Sequence, residues 1–354
     1  MTTIGIVGAG TMGTGIAQVA LEAGETVVLH DVDGRALGRA RDRVRSGLLR
    51  WATRSGSSDQ HADVLVAECL DRLRTTDALR EVAEGSSLVI EAALEELGIK
   101  RSIFRVLDAS APVDAVLATN TSALSVTAIS EAAIHRERVL GLHFFNPVPR
   151  MSLVEVAVTE ATAPAVVGSA EARMATWGKT TVRCADSPGF IVNRVNRPFT
   201  IEALRMLEAG EASVVEIDAA MRDRGYPMGP FELMDLVGLD VNLAAARGVW
   251  EALGRPDRLR PSPIQEQLVA AGRLGRKAGR GFYRHDGDRR GPVEADFAGA
   301  EGQPRRADIA GRIEQAVAAE ARRAAGEGIA TMDAIELALR LGTGRPATTG
   351  SPMS

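Results

Sequence analysis

The sequence contains no apolar run of the roughly 18 residues that a helix needs to span a bilayer. It also lacks a basic segment ahead of its first strand-like residues, 4–7, so we expect no signal peptide. Its only cysteines, Cys69 and Cys184, match neither a disulfide framework nor a metal motif, which predicts buried free thiols. Together these absences predict a cytoplasmic protein without a metal site.

Lysine is scarce, occurring only at positions 100, 179 and 277, and arginine supplies the remaining positive charge. The formal net charge is -4, which argues against a nucleic-acid partner. The 354 residues, of which 45% are hydrophobic and 25% charged, are enough for two compact domains.

The first half of the chain alternates strand-like and helix-like segments, which is typical of a parallel sheet with crossover helices. Strands are predicted at 3–7, 26–30, 88–91, 115–119, 139–143 and 153–158. Between the second and third of them, helical spacing of apolar residues over 37–51 and 64–73 predicts a helical hairpin within 35–76. Three interpretations of this hairpin are open: a lid over a site, a platform for a substrate, or an insertion without a role in binding.

The strand pattern stops near residue 184. Residues 185–283 show the apolar faces of helices, whereas 284–308 are rich in Arg, Asp, Gly and Pro and are predicted to be a linker. Residues 309–343 are predicted to be helical again, and 344–354 to be a flexible tail.

The second half contains an internal echo at a shift of 118 residues. The identical pairs are Arg194/Arg312, Glu202/Glu320, Ala203/Ala321, Gly210/Gly328, Ala212/Ala330, Ile217/Ile335, Ala220/Ala338 and Arg222/Arg340. The echo indicates a truncated duplicate of the start of the second domain. Chance similarity between alanine-rich helices is the alternative.

A glycine-rich motif follows the first predicted strand and opens a helix predicted at 14–23. Its residues include Gly8, Gly10, Thr11, Met12 and Gly13. In such a motif the first glycine permits a tight turn, the second lets a pyrophosphate approach and the third allows close packing of helix on strand. A structural glycine turn is the alternative.

Asp31 ends the next predicted strand, about 20 residues after the glycines. A carboxylate there accepts hydrogen bonds from ribose hydroxyls and repels a 2′-phosphate, which favours NAD over NADP. Arg35 lies close enough in sequence to leave NADP as an alternative.

His143 ends a predicted strand, at the sheet edge where parallel sheets bind ligands. Glu155 lies 12 residues later within an apolar run, where a carboxylate needs a partner. We expect Glu155 to orient the imidazole while the other ring nitrogen takes a proton from a substrate hydroxyl. The alternative is a structural histidine.

Two polar segments are candidates to complete the site. Ser122, after the strand at 115–119, would donate to the substrate oxygen, and Asn193 would hold the substrate. The alternatives are a helix N-cap for residues 119–122 and a helix-face amide for Asn193.

The chain resembles the L-3-hydroxyacyl-CoA dehydrogenase family over about residues 3–283. The motifs that carry the resemblance are GAGTMG at 8–13, TNTS at 119–122, HFFNPVP at 143–149, DSPGFIVNR at 186–194, PMGPFEL at 227–233 and GRGFY at 279–283. The resemblance implies an α/β Rossmann-like N-terminal domain with a helical-hairpin insertion, followed by an all-α domain that dimerises.

The resemblance also implies the reaction, a reversible hydride transfer between NAD and the 3-hydroxyl of an acyl-CoA. It makes His143 the general base, Glu155 its partner, and Ser122 and Asn193 substrate contacts. It further implies NAD contacts by Asp31, Glu95, Lys100, Ser122 and Asn146. By themselves, Glu95 and Lys100 would be an exposed helix pair.

The sequence departs from the family pattern in three places: Ala123 replaces a common serine, the chain extends past residue 283, and the hairpin has no lysine to hold coenzyme A. Arg45, Arg50 or Arg54 are candidates to replace it. Because the lysine is missing, two substrates stay open: a short-chain acyl-CoA, and the same thioester carried by an acyl carrier protein. A third possibility is an NAD-binding structural protein without turnover.

Overall fold

A computed structural model describes residues 3–56, 58–297 and 309–346. The chain divides into two compact units, Met1–Ser187 and Pro188–Ser354, each with its own architecture. No helix among the described residues is long and apolar enough to cross a membrane. Both cysteines are buried free thiols, as predicted.

An eight-stranded sheet forms the centre of the first unit. Its strands are β1 (Thr3–Val7), β2 (Thr26–His30), β3 (Leu73–Thr76), β4 (Ser86–Glu91), β5 (Val116–Thr119), β6 (Val139–Phe144), β7 (Leu153–Val158) and β8 (Thr180–Ala185). Their order is β3-β2-β1-β4-β5-β6-β7-β8. The first six are parallel, but β7 is antiparallel to β6, and β8 is parallel to β7. The sheet is therefore mixed rather than wholly parallel.

The six predicted strands are all present, whereas β3 and β8 were not predicted. These two are the edges of the sheet, and only part of each strand is buried. Edge strands need no continuous apolar run, so they lack the signal by which the inner strands are recognised. The predicted helical hairpin consequently ends before Leu73 and gives way to β3.

Helices cover the sheet. They are α1 (Thr11–Glu22), α2 (Gly34–Arg54), α3 (Asp59–Asp71), α4 (Leu79–Ala83), α5 (Leu97–Ser110), α6 (Val126–Ser130) and α7 (Pro164–Thr176). The predicted hairpin is α2 and α3. Its apolar face, including Leu37, Val44 and Leu48, belongs to the same core as the sheet. Gly47 leaves room for Gln18 of α1, because a Cβ at Gly47 would lie 2.0 Å from the Gln18 Oε1 atom. This packing favours a fixed platform over a lid.

The second unit is mainly helical. Its elements are α8 (Val192–Val195), α9 (Arg197–Glu208), α10 (Val214–Asp223), α11 (Pro230–Val237), α12 (Leu239–Ala252), α13 (Pro263–Ala270), β9 (Tyr283–Asp286), β10 (Arg289–Val293), α14 (Ile309–Gly326) and α15 (Met332–Thr343). The all-α expectation is therefore correct except for one β-hairpin.

That hairpin, β9 and β10, replaces the first part of the predicted linker at 284–308, which is wrong there. Asp235 of α11 anchors the hairpin by accepting hydrogen bonds from the backbone N–H groups of Phe282 and Tyr283, at 2.9 Å each, and by contacting His285 Nε2 at 2.9 Å. Buried Asp235 and the ion pairs of two arginines with Glu294 hold this segment in place. Its polar composition therefore did not indicate an unstructured linker. Residues 298–308 and 347–354, in the predicted linker and tail, lie outside the described part.

Candidate active site

The glycine motif joins β1 to α1 and is shaped by close packing. Gly8 has a φ of 104°, and a Cβ there would lie 2.5 Å from the Ala92 carbonyl oxygen. A Cβ at Gly13 would lie 1.8 Å from the Gly8 carbonyl oxygen, whereas one at Gly10 would meet nothing within 4 Å. Side chains are thus excluded at Gly8 and Gly13 by the protein itself, and the space beside Gly10 suits a ligand.

The amino terminus of α1 is suited to an anion. The helix begins at Thr11, and its cap residue Gly10 has no side chain to satisfy the first N–H groups. Such N–H groups, together with the helix dipole, bind phosphate. The residues therefore fit the pyrophosphate of NAD.

Asp31 lies directly beside this loop. Its Oδ2 atom accepts a hydrogen bond from the Ala9 N–H at 2.8 Å, and its Oδ1 atom accepts one from the Asp33 N–H at 3.0 Å. A carboxylate oxygen can accept more than one hydrogen bond, so both oxygens can still bind ribose hydroxyls. Arg35 is exposed at the start of α2.

A buried charge network connects β4, β5 and α5. The Glu91 side chain is fully buried and accepts hydrogen bonds from Lys100 Nζ at 2.7 and 3.0 Å and from Thr119 Oγ1 at 2.7 Å. Lys100 is 1% exposed and also contacts Glu95 at 3.2 Å. The interpretation of Glu95 and Lys100 as an exposed pair is wrong, because Lys100 lies between two carboxylates. Glu91 was missed, although a carboxylate that ends an apolar strand is a usable signal.

Glu95 holds the turn that contains Ser122. Its Oε1 atom accepts hydrogen bonds from Thr121 Oγ1 at 2.5 Å, from the Ser122 N–H at 2.9 Å and from the Ala123 N–H at 3.1 Å. Burial alone would raise the pKa of Glu95, but Lys100 and these hydrogen bonds outweigh burial and hold the pKa below its usual value.

Ser122 itself is exposed beside this anchored turn, so it is accessible to a ligand. The N-cap alternative for residues 119–122 is wrong, since Ser125 is the residue that caps α6. Asn120 instead joins two strand ends, because its Oδ1 atom accepts the Phe144 N–H at 2.8 Å.

His143 and Glu155 face each other across the antiparallel pair β6 and β7, at opposite positions of the register. The His143 Nδ1 atom lies 2.6 Å from the Glu155 Oε2 atom, and the side chains are 7% and 0% exposed. The structure thus brings together the two residues that the sequence singled out. Carboxylate oxygens accept hydrogen bonds, so this contact assigns the ring proton to Nδ1 and makes Nε2 the position for proton transfer.

The loop after His143 contains Asn146, which is exposed. Lys179 holds this loop by donating hydrogen bonds to the carbonyl oxygens of Val148 at 2.6 Å and Met151 at 2.8 Å. Burial lowers the pKa of Lys179, and nearby Glu22 partly offsets the effect. Asn193 belongs to the second unit, where it is half-buried on α8, and its substrate role stays a prediction.

A cleft of about 490 Å³ lies between the first turns of α1, the helix α2 and the loop after β6. Its lining residues are Thr11, Thr14, Gly15, Gln18, Arg43, Gly47, Arg50, Arg54, Asn146, Pro147, Val148, Pro149 and Arg150. The lining contains four exposed arginines and no acidic side chain. The cleft therefore suits a ligand with several negative charges.

The lining of the cleft distinguishes among the three arginines that the sequence offered as replacements for the missing lysine. Arg50 and Arg54 line it, whereas Arg45 does not, and Arg43 and Arg150 were missed. Positions 43, 47, 50 and 54 recur at helical spacing, so they share one face of α2. That spacing could have found Arg43, but Arg150 comes from a distant loop.

We expect Asp31→Ser to weaken NADH binding about tenfold or more, since hydrogen bonds to a charged group contribute roughly 1.5–3 kcal/mol. It should also raise the relative affinity for NADPH, because the repelling carboxylate is removed. Fluorescence titration of both nucleotides measures this change, with the exposed Asp42→Asn of α2 as a matched control. Unchanged NADH affinity in Asp31→Ser would contradict a ribose contact.

Comparison with known proteins identifies related sequences and structures. Residues 3–187 match the model of the 3-hydroxyacyl-CoA dehydrogenase NAD-binding domain, and residues 189–285 match that of the C-terminal domain. A 3-hydroxyadipyl-CoA dehydrogenase of Escherichia coli K12 is 45% identical over 282 residues, which cover 79% of this chain and 58% of that protein. The chain thus aligns with little more than half of this relative.

Two further relatives match over most of their length. The mitochondrial hydroxyacyl-coenzyme A dehydrogenase of Sus scrofa is 41% identical over 282 residues, 79% of this chain and 90% of that protein. The crystal structure of an E. coli K12 3-hydroxybutyryl-CoA dehydrogenase superposes with a TM-score of 0.85 at 34% identity, covering 98% of this chain and 89% of that one. Because both domain models match in order and together span most of the chain, the chain belongs to the 3-hydroxyacyl-CoA dehydrogenase family.

Proposed function

We propose that this protein catalyses the reversible, NAD-dependent oxidation of a short-chain L-3-hydroxyacyl-CoA to the 3-ketoacyl-CoA. The observation that carries the proposal is the His143–Glu155 pair, which lies on the same sheet as the glycine motif. Because β1 and β6 run in the same direction, Gly8 and His143 both lie at the carboxyl edge of the sheet. Ligands of open α/β sheets bind at this edge.

The geometry supports a general-base mechanism. His143 removes the proton of the 3-hydroxyl group through Nε2, while Glu155 accepts the Nδ1 hydrogen bond and stabilises the resulting imidazolium. The chemistry that NAD would supply when bound is a hydride acceptor for C3 of the substrate. Ser122 and Asn193 would hold the substrate oxygen. Asp31 and the α1 terminus would hold the nucleotide, and Glu95 and Asn146 would contact it.

Lys100 has a different role in this proposal from the direct NAD contact that the resemblance implies. Its ammonium group is enclosed by Glu91 and Glu95, with 1% of the residue exposed. It would therefore act through Glu95, by keeping that carboxylate ionised and directed at the Ser122 turn.

The arginine cleft supports coenzyme A as the acyl carrier. Coenzyme A has three phosphate groups, and four arginines line the cleft, none of which forms an ion pair with a described residue. A phosphopantetheine on a carrier protein presents one phosphate diester and would leave most of this charge without a partner. The carrier-protein substrate is retained as the second candidate, because an acidic carrier surface would also be attracted to arginines.

The names of related proteins support a short acyl chain. One relative is a 3-hydroxyadipyl-CoA dehydrogenase, and the superposed structure is a 3-hydroxybutyryl-CoA dehydrogenase. The experiment that tests the proposal is a steady-state panel of C4 to C16 3-hydroxyacyl-CoA substrates and 3-hydroxyadipyl-CoA, with NAD and with NADP. A preference of a hundredfold or more for the carrier-protein form of the 3-hydroxybutyryl thioester would overturn the coenzyme A assignment.

Two finer expectations accompany the function. A cytoplasmic location stays a prediction from the sequence. The homodimer implied by the resemblance also stays a prediction.

We predict that His143→Ala lowers kcat roughly a thousandfold and leaves NADH affinity nearly unchanged, because general bases contribute about 10²–10⁴-fold to rate. The control is His135→Ala, which removes a partly exposed imidazole that contacts Asp108 in the same unit. If kcat of the His143 variant equals that of the control, His143 is not the base. If the wild-type protein binds NADH but shows no turnover, a non-catalytic protein is favoured.

We predict that Arg50→Ala and Arg54→Ala each raise KM for 3-hydroxybutyryl-CoA about tenfold, since a charge-assisted contact contributes roughly 1–2 kcal/mol. KM for the phosphate-free pantetheine thioester should not change, because that substrate does not reach the cleft. Arg45→Ala on the same helix is the matched control, as Arg45 does not line the cleft. Equal effects on both substrates would contradict a phosphate contact.

A further inference from the structure

Helix α9 of the second unit begins with an arginine that is buried without a counter-ion. Arg197 is 7% exposed, and no carboxylate of the described residues forms an ion pair with it. Its Nε atom has no hydrogen-bond partner among those residues, and its Nη1 atom lies 3.5 Å from the carbonyl oxygen of Asn242, which is long for a hydrogen bond. Burial alone lowers the pKa of the guanidinium to about 10, so the group is still charged at neutral pH.

The other buried lysine and arginine side chains of the described residues all have a carboxylate partner. Each is 3% exposed or less, and the pairs are Lys100 with Glu91 at 2.7 Å, Arg138 with Asp108 at 2.9 Å and Arg194 with Glu320 at 3.0 Å. A buried charge without such a partner is costly, and proteins rarely retain one that has no use. Arg197 is the exception among these four cations, so we expect a ligand to supply its counter-ion.

Arg197 lies one helical turn from Asn193, the residue proposed to hold the substrate oxygen. Only Asn196 separates α8 from α9, and its backbone is itself in the right-handed helical conformation. Side chains four residues apart share one face of a helix, with about 5–6 Å between their Cβ atoms. The guanidinium is therefore placed beside the part of the substrate that follows the 3-oxygen.

The chemistry of that part of the substrate decides which anion is available. C6 of an acyl chain lies four bonds from the 3-oxygen, which is about 5 Å in an extended chain with bonds of roughly 1.5 Å. A carboxylate matches the fork of a guanidinium with two parallel hydrogen bonds. The phosphate groups of coenzyme A lie at the opposite end of the thioester, so they are not the expected partner of Arg197.

We propose that Arg197 is a specificity-determining residue that binds a carboxylate at the far end of the acyl group. The preferred substrates would then be coenzyme A thioesters of 3-hydroxy dicarboxylic acids of about six carbons. Arg197 acts in this way only if the proposed function holds, because Asn193 must position the 3-oxygen. A dicarboxylic substrate provides the missing counter-ion, whereas an acyl chain that ends in a methyl group leaves the buried charge unpaired. Selectivity therefore comes from a penalty on the wrong substrate as well as attraction of the right one.

A matched pair of substrates tests the contact. 3-Hydroxyadipyl-CoA and 3-hydroxyhexanoyl-CoA have acyl chains of equal length and differ only in the terminal group, a carboxylate or a methyl. We expect the wild-type kcat/KM to be about a hundredfold higher for the adipyl substrate. Arg197→Met should remove this preference by lowering kcat/KM for the adipyl substrate alone, and Arg197→Lys should retain part of it. Arg247→Met, which removes an exposed arginine of α12, is the control and should keep the wild-type preference.

Failure of the contact and failure of the proposed function give different results. If the wild type oxidises both thioesters with equal kcat/KM, or if Arg197→Met lowers both values equally, the carboxylate contact is wrong while the proposed function stands. If the wild type oxidises neither thioester, the proposed function is wrong, and the carboxylate contact with it.

Thermal unfolding without substrate tests the unpaired charge independently of turnover. Methionine has a similar length and no charge, so Arg197→Met should have a Tm equal to or above that of the wild type. Arg138→Met breaks the buried ion pair with Asp108 and should lower Tm by several degrees. A loss of stability in Arg197→Met as large as that in Arg138→Met would show that Arg197 has a structural partner, and would overturn the proposal.

Discussion

The antiparallel pairing of β6 with β7 is the constraint on which the chemistry depends. It places His143 opposite Glu155 in the register, so the proposed base and its partner are fixed by backbone hydrogen bonds rather than by a loop. A shift of one residue along β7 would turn Glu155 to the other face of the sheet and separate the pair. The reversal of the last two strands therefore has a chemical consequence, because it brings an acid from a neighbouring strand beside an imidazole at the ligand-binding edge.

The buried network around Lys100 gives the neighbouring strand ends, those of β4 and β5, similar rigidity. Lys100 contacts Glu91 and Glu95, and its charge compensates that of Glu91, a fully buried carboxylate that would be costly to bury without a partner. Glu91 also accepts a hydrogen bond from Thr119, while Glu95 holds the Ser122 turn. The ends of β4, β5 and α5 are thus joined before any ligand binds, and a preorganised site loses less entropy on binding.

The sequence predicts those features whose signal is local. The inner strands, the glycine motif, Asp31 and the helical hairpin all show periodicity or motif spacing, and the structure contains each of them. The edge strands β3 and β8 were missed because half-exposed strands have weak patterns, and the β9–β10 hairpin was missed because Asp235, 47 residues before Phe282, holds it. The roles of Glu91 and Arg150 depend on long-range packing, which spacing alone does not reveal. The His143–Glu155 pair was predictable because both residues break apolar strands.

The most direct test of the account is the tautomer of His143. In ¹⁵N-histidine-labelled protein, the His143 signals are assigned by their loss in His143→Asn, and the spectrum is recorded where the imidazole is neutral. A ring held by Glu155 through Nδ1–H must carry its proton on Nδ1 and leave Nε2 unprotonated to act as the base. The account predicts that tautomer in the wild type and its loss in Glu155→Gln. A neutral ring protonated on Nε2 would contradict the proposed direction of proton transfer.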